Sequence, residues 1–186
     1  YRMNNDGALQ VTQQLKADAS RKDVPDMFRF GMQLVMPKQF DRIDYYGRGP
    51  EENYADRNHS TFMGRYRQLV SDQFYPYVRP QETGSKSDVR WWKVVDVDGR
   101  GLAFSAEQPF FATALHYLTS DLDDGDKKHQ RHSGELHERD LTCVSIDGRQ
   151  MGLGCVDSWG SLPLPEYCLP YGDYTFTVVI TPVAKR

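Results

Sequence analysis

The sequence is short of cysteine, of helix signals and of long apolar runs, and each shortage excludes something. Its three cysteines, Cys143, Cys155 and Cys168, are an odd number and cannot all pair. None lies in a CxxC spacing, which removes a metal knuckle or a dithiol redox site. Disulfides are not needed for stability, because 186 residues suffice for one domain and bury roughly 70% of the surface the unfolded chain exposes. No apolar run approaches the roughly 18 residues of a membrane span. A surplus of positive charge is also missing: 23 Lys and Arg stand against 26 Asp and Glu, a formal charge of −3. No field exists to hold a phosphate backbone or an anionic membrane surface, so neither nucleic acid nor membrane is expected as a partner. Among enzyme signatures there is no GxSxG elbow, Walker loop or HExxH, and Gly47-Arg48-Gly49-Pro50-Glu51-Glu52 breaks GxGxxG at its last position. Position 1 is Tyr rather than Met, so the chain reads as a piece of something longer, and any signal peptide would lie upstream.

Aromatic residues are plentiful: 11 Tyr, 9 Phe and 3 Trp accompany a mean hydropathy of −0.68. That pairing suits sheets with one wet face, and equally surfaces that bind sugars. The strongest periodicity is two. Tyr174, Phe176, Val178 and Ile180 alternate with Thr175, Thr177, Val179 and Thr181, which predicts a strand with one apolar and one mostly threonine face. Phe30 to Met36 alternates likewise, Leu9 to Leu15 more weakly, and Trp91 to Val97 and Leu102 to Phe104 supply further strand signals. Asp6-Gly7, Asp98-Gly99 and Asp147-Gly148 each offer the positive-φ position of a tight hairpin. One short helix is expected where Thr119-Ser120 would cap the acidic turn Asp121 to Asp124, ending near Gly125. The charged stretch from Asp121 to Arg139 reads as a surface excursion between strands. Prolines 37, 76, 80, 163, 165 and 170 belong in loops or at strand ends. The expectation is an all-β, antiparallel sandwich forming a single domain over residues 1–186.

Three constellations could carry chemistry. His129, His132 and His137 lie close in sequence but fit no standard metal spacing, and read as solvated loop histidines. The stretch Tyr45 to Arg57 holds two glycines, a proline and the charges Arg48, Glu51, Glu52, Asp56 and Arg57, which could lock a tight backbone through carboxylate–guanidinium pairs. Glu51 and Glu52 are poor candidates for a glycosidase pair, since neighbours on an extended chain point to opposite sides. The third is Ile146 to Gly160, where Trp159 follows Asp157-Ser158 beyond a glycine-rich run. Such a ring either caps the core or stands free at a loop tip, where a sugar's C–H face could stack on it.

Three motifs, Tyr46-Gly47-Arg48-Gly49-Pro50-Glu51-Glu52-Asn53-Tyr54-Ala55-Asp56-Arg57, Pro76-Tyr77-Val78-Arg79-Pro80-Gln81-Glu82-Thr83-Gly84 and Gly152-Leu153-Gly154 with Asp157-Ser158-Trp159, resemble in order and spacing the C-terminal domain of family 2 β-galactosidases of the LacZ type. The resemblance spans about Tyr1 to Val183. It implies an antiparallel β-supersandwich similar to galactose mutarotases. It also implies retaining hydrolysis of terminal β-D-galactosides such as lactose, run by two glutamates in an upstream (β/α)8 barrel. No catalytic residue is then expected in this chain, and the isolated piece is expected to be inactive. Trp159 matches the family's tryptophan at the mouth of the active site, which favours the platform role, with Asp157 and Ser158 shaping its loop and standing as further candidate substrate-binding residues.

The resemblance further implies no cofactor or metal bound here, with Mg and Na held in other domains. The implied partners are the galactoside, the other domains of the same chain and a homo-oligomer, in a bacterial cytoplasm or periplasm. The chain departs from the pattern at Cys155, where a second glycine is common, and at Thr83 and Ser85, where Asn is usual. A rival reading is a free-standing sugar-binding or mutarotase-like module, in which His116, His132 or His137 would act with Glu82 or Glu107.

Overall fold

Strand formation follows the alternation almost everywhere it is clear. In the computed structural model, which describes residues 1–123, 125, 131–154, 157 and 160–184, the strands are β1 (Arg2–Met3), β2 (Leu9–Leu15), β3 (Arg29–Pro37), β4 (Arg42–Gly49), β5 (Phe62–Leu69), β6 (Lys86–Val95), β7 (Gly101–Leu115), β8 (Leu141–Gln150) and β9 (Tyr174–Val183). In β9, Phe176 and Val178 turn inward while Thr175 and Thr177 remain on the wetter face, as the period of two requires. Every pairing is antiparallel, so the all-β expectation holds.

The sheet forks at β7. Its residues 101–105 pair with β9, its residues 111–115 pair with β8, and β6 runs along its other edge. One arm continues as β9-β2-β1 and the other as β8-β3, while β6 continues to β4 and β5. Both arms close over one core in which Tyr45, Trp92, Phe104, Phe110, Ile146 and Val178 are wholly buried. The Tyr45 and Trp92 rings lie 4.8 Å apart between centroids, and each such burial contributes on the order of 2–3 kcal/mol. This two-layer closure makes the chain a β-sandwich.

Asp6-Gly7 and Asp98-Gly99 form the predicted turns, with φ of +81° at Gly7 and +80° at Gly99. Asp147-Gly148 does not. It lies inside β8, where Asp147 pairs with Phe111 on one side and Gly31 on the other, across a bulge at Phe30/Gly31. Glycine is required at 148 by crowding, because a Cβ there would sit 2.5 Å from the Phe176 ring. Strand β6 also begins at Lys86, ahead of the Trp91 start read from the β-formers, and stops at Val95. The predicted helix is the single turn α1 (Thr119–Leu122). Its cap is not a hydroxyl: the Asp121 carboxylate reaches back to accept the Leu118 N–H at 2.8 Å.

Candidate functional site

The three sequence motifs meet in space, and two carboxylates join them. Glu52 accepts the Gly84 N–H at 2.8 Å, the Thr83 hydroxyl at 2.9 Å and the Arg57 guanidinium at 2.7 Å, together with the Tyr77 hydroxyl. Burial alone would raise the Glu52 carboxyl, but these donors outweigh it and hold it below the usual glutamate range. Thr83, one of the departures from the family pattern, is thus a donor to Glu52 and also accepts the Tyr75 N–H. Ser85, the other, donates to Gln150 at 2.9 Å.

Asp56 makes the second join. Its Oδ1 accepts the Leu153 N–H at 3.1 Å and its Oδ2 accepts the Gly154 N–H at 2.8 Å. Gly152 has no room for a side chain, since a Cβ would lie 2.5 Å from Asp56 Oδ2, and Gly154 takes the left-handed φ of +75°. The root of this loop is further tied by Gly152 N–H to Tyr167 O at 2.8 Å and by Met151 N–H to Phe28 O at 2.9 Å. The expected internal locking of the stretch from Tyr45 to Arg57 is therefore only part of the picture. Arg57 does pair with Glu52, but Arg48 pairs with Asp88 at 2.6 Å and Asp56 serves another segment. Asn53, wholly buried, holds the motif's own backbone by donating to Arg48 O and Glu51 O.

Of the residues expected to touch sugar, Asp157 is exposed and accepts the Ser161 hydroxyl at 2.6 Å. Trp159 and Ser158 lie outside the described residues, as do Cys155 and His129.

Beside the loop root opens a cavity of about 740 Å³. At its floor Arg29 donates through Nε and Nη2 to Asp147 Oδ2, the shorter contact being 2.6 Å, and stands 3.2 Å from Glu82 Oε1. Gln150 donates to the same Glu82 oxygen. Burial pushes the Asp147 carboxyl up to about 6 and raises Glu82 too, although the Arg29 charge opposes both. Two carboxylates thus share one guanidinium, with Asp147 buried and Arg29 and Glu82 partly open to solvent. Among the described residues no histidine lines this cavity. His116 is buried with Nδ1 at 2.8 Å from Leu141 O, His132 Nδ1 lies 3.3 Å from Val78 O and Glu107 is exposed; among the described residues no histidine hydrogen-bonds to Glu82 or Glu107.

Sequence reading missed Arg29 and Gln150, since a lone charge or amide carries no pattern of its own, and it took Asp147 for part of a hairpin turn. It also missed Lys86, which is 1% exposed and donates to Gln73 Oε1 at 2.7 Å. Burial lowers its amine to about 8.

Fold and site define an antiparallel β-sandwich whose sequence motifs are spent on bracing one loop and walling one polar cavity. A family model described as the beta-galactosidase small chain matches residues 1–180, and the chain belongs to that family. It is 34% identical over 181 residues to a beta-galactosidase of Priestia megaterium, covering 97% of this chain and 17% of that protein. Similarity to the beta-galactosidase of Lactobacillus delbrueckii subsp. bulgaricus is 36% identity over 91% of this chain and 16% of the relative. For a beta-galactosidase of Vibrio cholerae it is 32% over 85% and 14%. The chain thus spans about one sixth of the length of these relatives.

Proposed function

We propose that the chain is the C-terminal domain of a β-galactosidase that hydrolyses terminal β-D-galactosides such as lactose with retention. In this reading the reaction belongs to two glutamates of a (β/α)8 barrel elsewhere in the longer protein, a family 2 glycoside hydrolase. The present chain lends Trp159 to the mouth of that site, as a ring on which the sugar or aglycone stacks on entry. Asp157 and Ser158 shape the loop that presents it. Mg and Na are bound in the other domains, and the chain by itself is inactive. Its partners are the substrate, those domains and further copies of the full-length protein.

The observation that supports this reading is the Asp56 brace. A charged side chain from a distant motif is committed to fixing the root of the segment that leads to Trp159, an arrangement suited to a ring that must be held in place. In the full-length enzyme, Trp159→Ala is expected to raise KM for lactose several-fold while leaving the fold intact. Unchanged KM across several galactosides would overturn the platform role.

A further inference from the structure

We propose that the cavity floored by Arg29, Glu82 and Asp147 is a second carbohydrate site, one that binds a neutral pyranose independently of Trp159. Its volume of about 740 Å³ lies in the range of roughly 300–1,000 Å³ typical of small-molecule sites. The character of its wall identifies the ligand class.

Polar side chains with hydrogen-bonding capacity to spare line it. Among the described residues, no hydrogen bond falls on Arg29 Nη1, Glu82 Oε2 or Gln33 Oε1, while the neighbouring atoms of the same side chains are engaged with Asp147, Gln150, Ser145 and Thr119. The engaged atoms hold each of these cavity-lining groups in place, and each keeps hydrogen-bonding capacity for a ligand. A sugar hydroxyl both donates and accepts, so adjacent hydroxyls match a guanidinium set beside a carboxylate and an amide. Phe28, which is 77% exposed, and Met151 also line the cavity and supply the apolar surface that a pyranose C–H face requires. Behind Arg29 and Glu82 a small hollow of about 20 Å³ adjoins the cavity, and the buried Thr113 hydroxyl on its wall has no partner. That is room for one water, which would tie Thr113 to the floor.

Other ligand classes fit less well. Arg29 is already countered by two carboxylates, so an anion meets net repulsion. A wholly apolar ligand would strand the buried charges without compensation. A metal ion would meet the Arg29 charge between its two carboxylate ligands.

The test is a titration of the protein, followed by saturation-transfer NMR, with methyl β-D-galactopyranoside, methyl β-D-glucopyranoside and D-galacturonate. Saturable binding of the neutral glycosides is expected at millimolar strength. Phe28→Ala and Gln33→Ala alter exposed side chains and leave the fold alone, and each is expected to weaken binding by roughly fivefold to tenfold. Galacturonate is expected to bind at least about tenfold more weakly than the neutral sugars. Trp159→Ala is expected to leave this binding unchanged, which separates the outcome from that of the galactosidase reading. Absence of saturable binding, binding insensitive to both Phe28→Ala and Gln33→Ala, galacturonate binding as tight as that of neutral sugars, or loss of binding in Trp159→Ala would each overturn the proposal.

Discussion

The Asp56 carboxylate and Gly152 are fitted to one another: the absence of a side chain at 152 gives Asp56 room to accept the next two backbone N–H groups, of Leu153 and Gly154. The two residues are ninety-six positions apart in sequence (152 less 56), in motifs with no visible relation. Their contact turns one polar stretch into the support of another.

Removing that brace has a defined cost. Asp56→Ala leaves two N–H groups without their acceptor, and a hydrogen bond to a charged group is worth roughly 1.5–3 kcal/mol. Amide hydrogen exchange at Leu153 and Gly154 is expected to accelerate strongly, while exchange in the core strand β8 at Val144 and Ile146 changes far less. Gly152→Ala is expected to give the same pattern by pushing Asp56 away. Unaltered protection at both amides in both variants would show that the brace does not hold the loop.

The buried acid Asp147 gives stability a dependence on pH of unusual sign. Burial raises its folded value to about 6 from the ordinary 3.8. Between those values the folded chain binds more protons than the unfolded one, so this group's contribution declines as pH rises from about 4 to 6 and stays low above it. The ordinary case in the same chain is Asp121, held below its usual range by Arg139, whose contribution is lost as pH falls. Asp147→Asn keeps an acceptor for Arg29 and removes the titration. The stability advantage of the native chain over Asp147→Asn, read from urea midpoints, is therefore expected to shrink from pH 4.5 to pH 7. An advantage that grows over this interval would contradict the assignment.

Gly148→Ala tests why the Asp-Gly pair in β8 is not a turn. The new methyl would meet the Phe176 ring at 2.5 Å, and overpacking of this kind costs about 1–3 kcal/mol. Each kcal/mol lowers Tm by roughly 2–4 °C in a chain of this size. Gly99→Ala is the contrasting case. Nothing lies within 4 Å of its Cβ, and its cost comes from φ of +80° alone, about 1–2 kcal/mol. A Phe176→Leu background is expected to rescue Gly148→Ala and leave Gly99→Ala unchanged.

Much of the fold was legible because alternation is a local property. The cores of β2, β3 and β9 stand where the period of two placed them, and two of three Asp-Gly pairs turn the chain. The third misled because Asp-Gly means a hairpin only when nothing else competes for the glycine, and at Gly148 an aromatic ring does. The start of β6 was obscured by Lys86, whose charge argues for solvent until Gln73 and Gly84 O are seen to receive its amine. In the site, the motifs themselves were conspicuous but their pairing was not. Asp56 looked like a partner for a nearby arginine, since Coulomb attraction along the chain is all that a sequence displays.

By itself, then, the sequence determined the class of structure and the family, through side-chain periodicity and three ordered motifs. The tertiary structure alone decided which charge meets which. It sent Asp56 to the Gly152 loop, Glu52 to Thr83 and Gly84, and Arg29 to Asp147 and Glu82, because these pairings depend on strands distant in sequence, such as β3 with β8 and β4 with β6, being brought side by side. Interactions that are strong only where water is excluded are set by burial, and burial belongs to the folded chain.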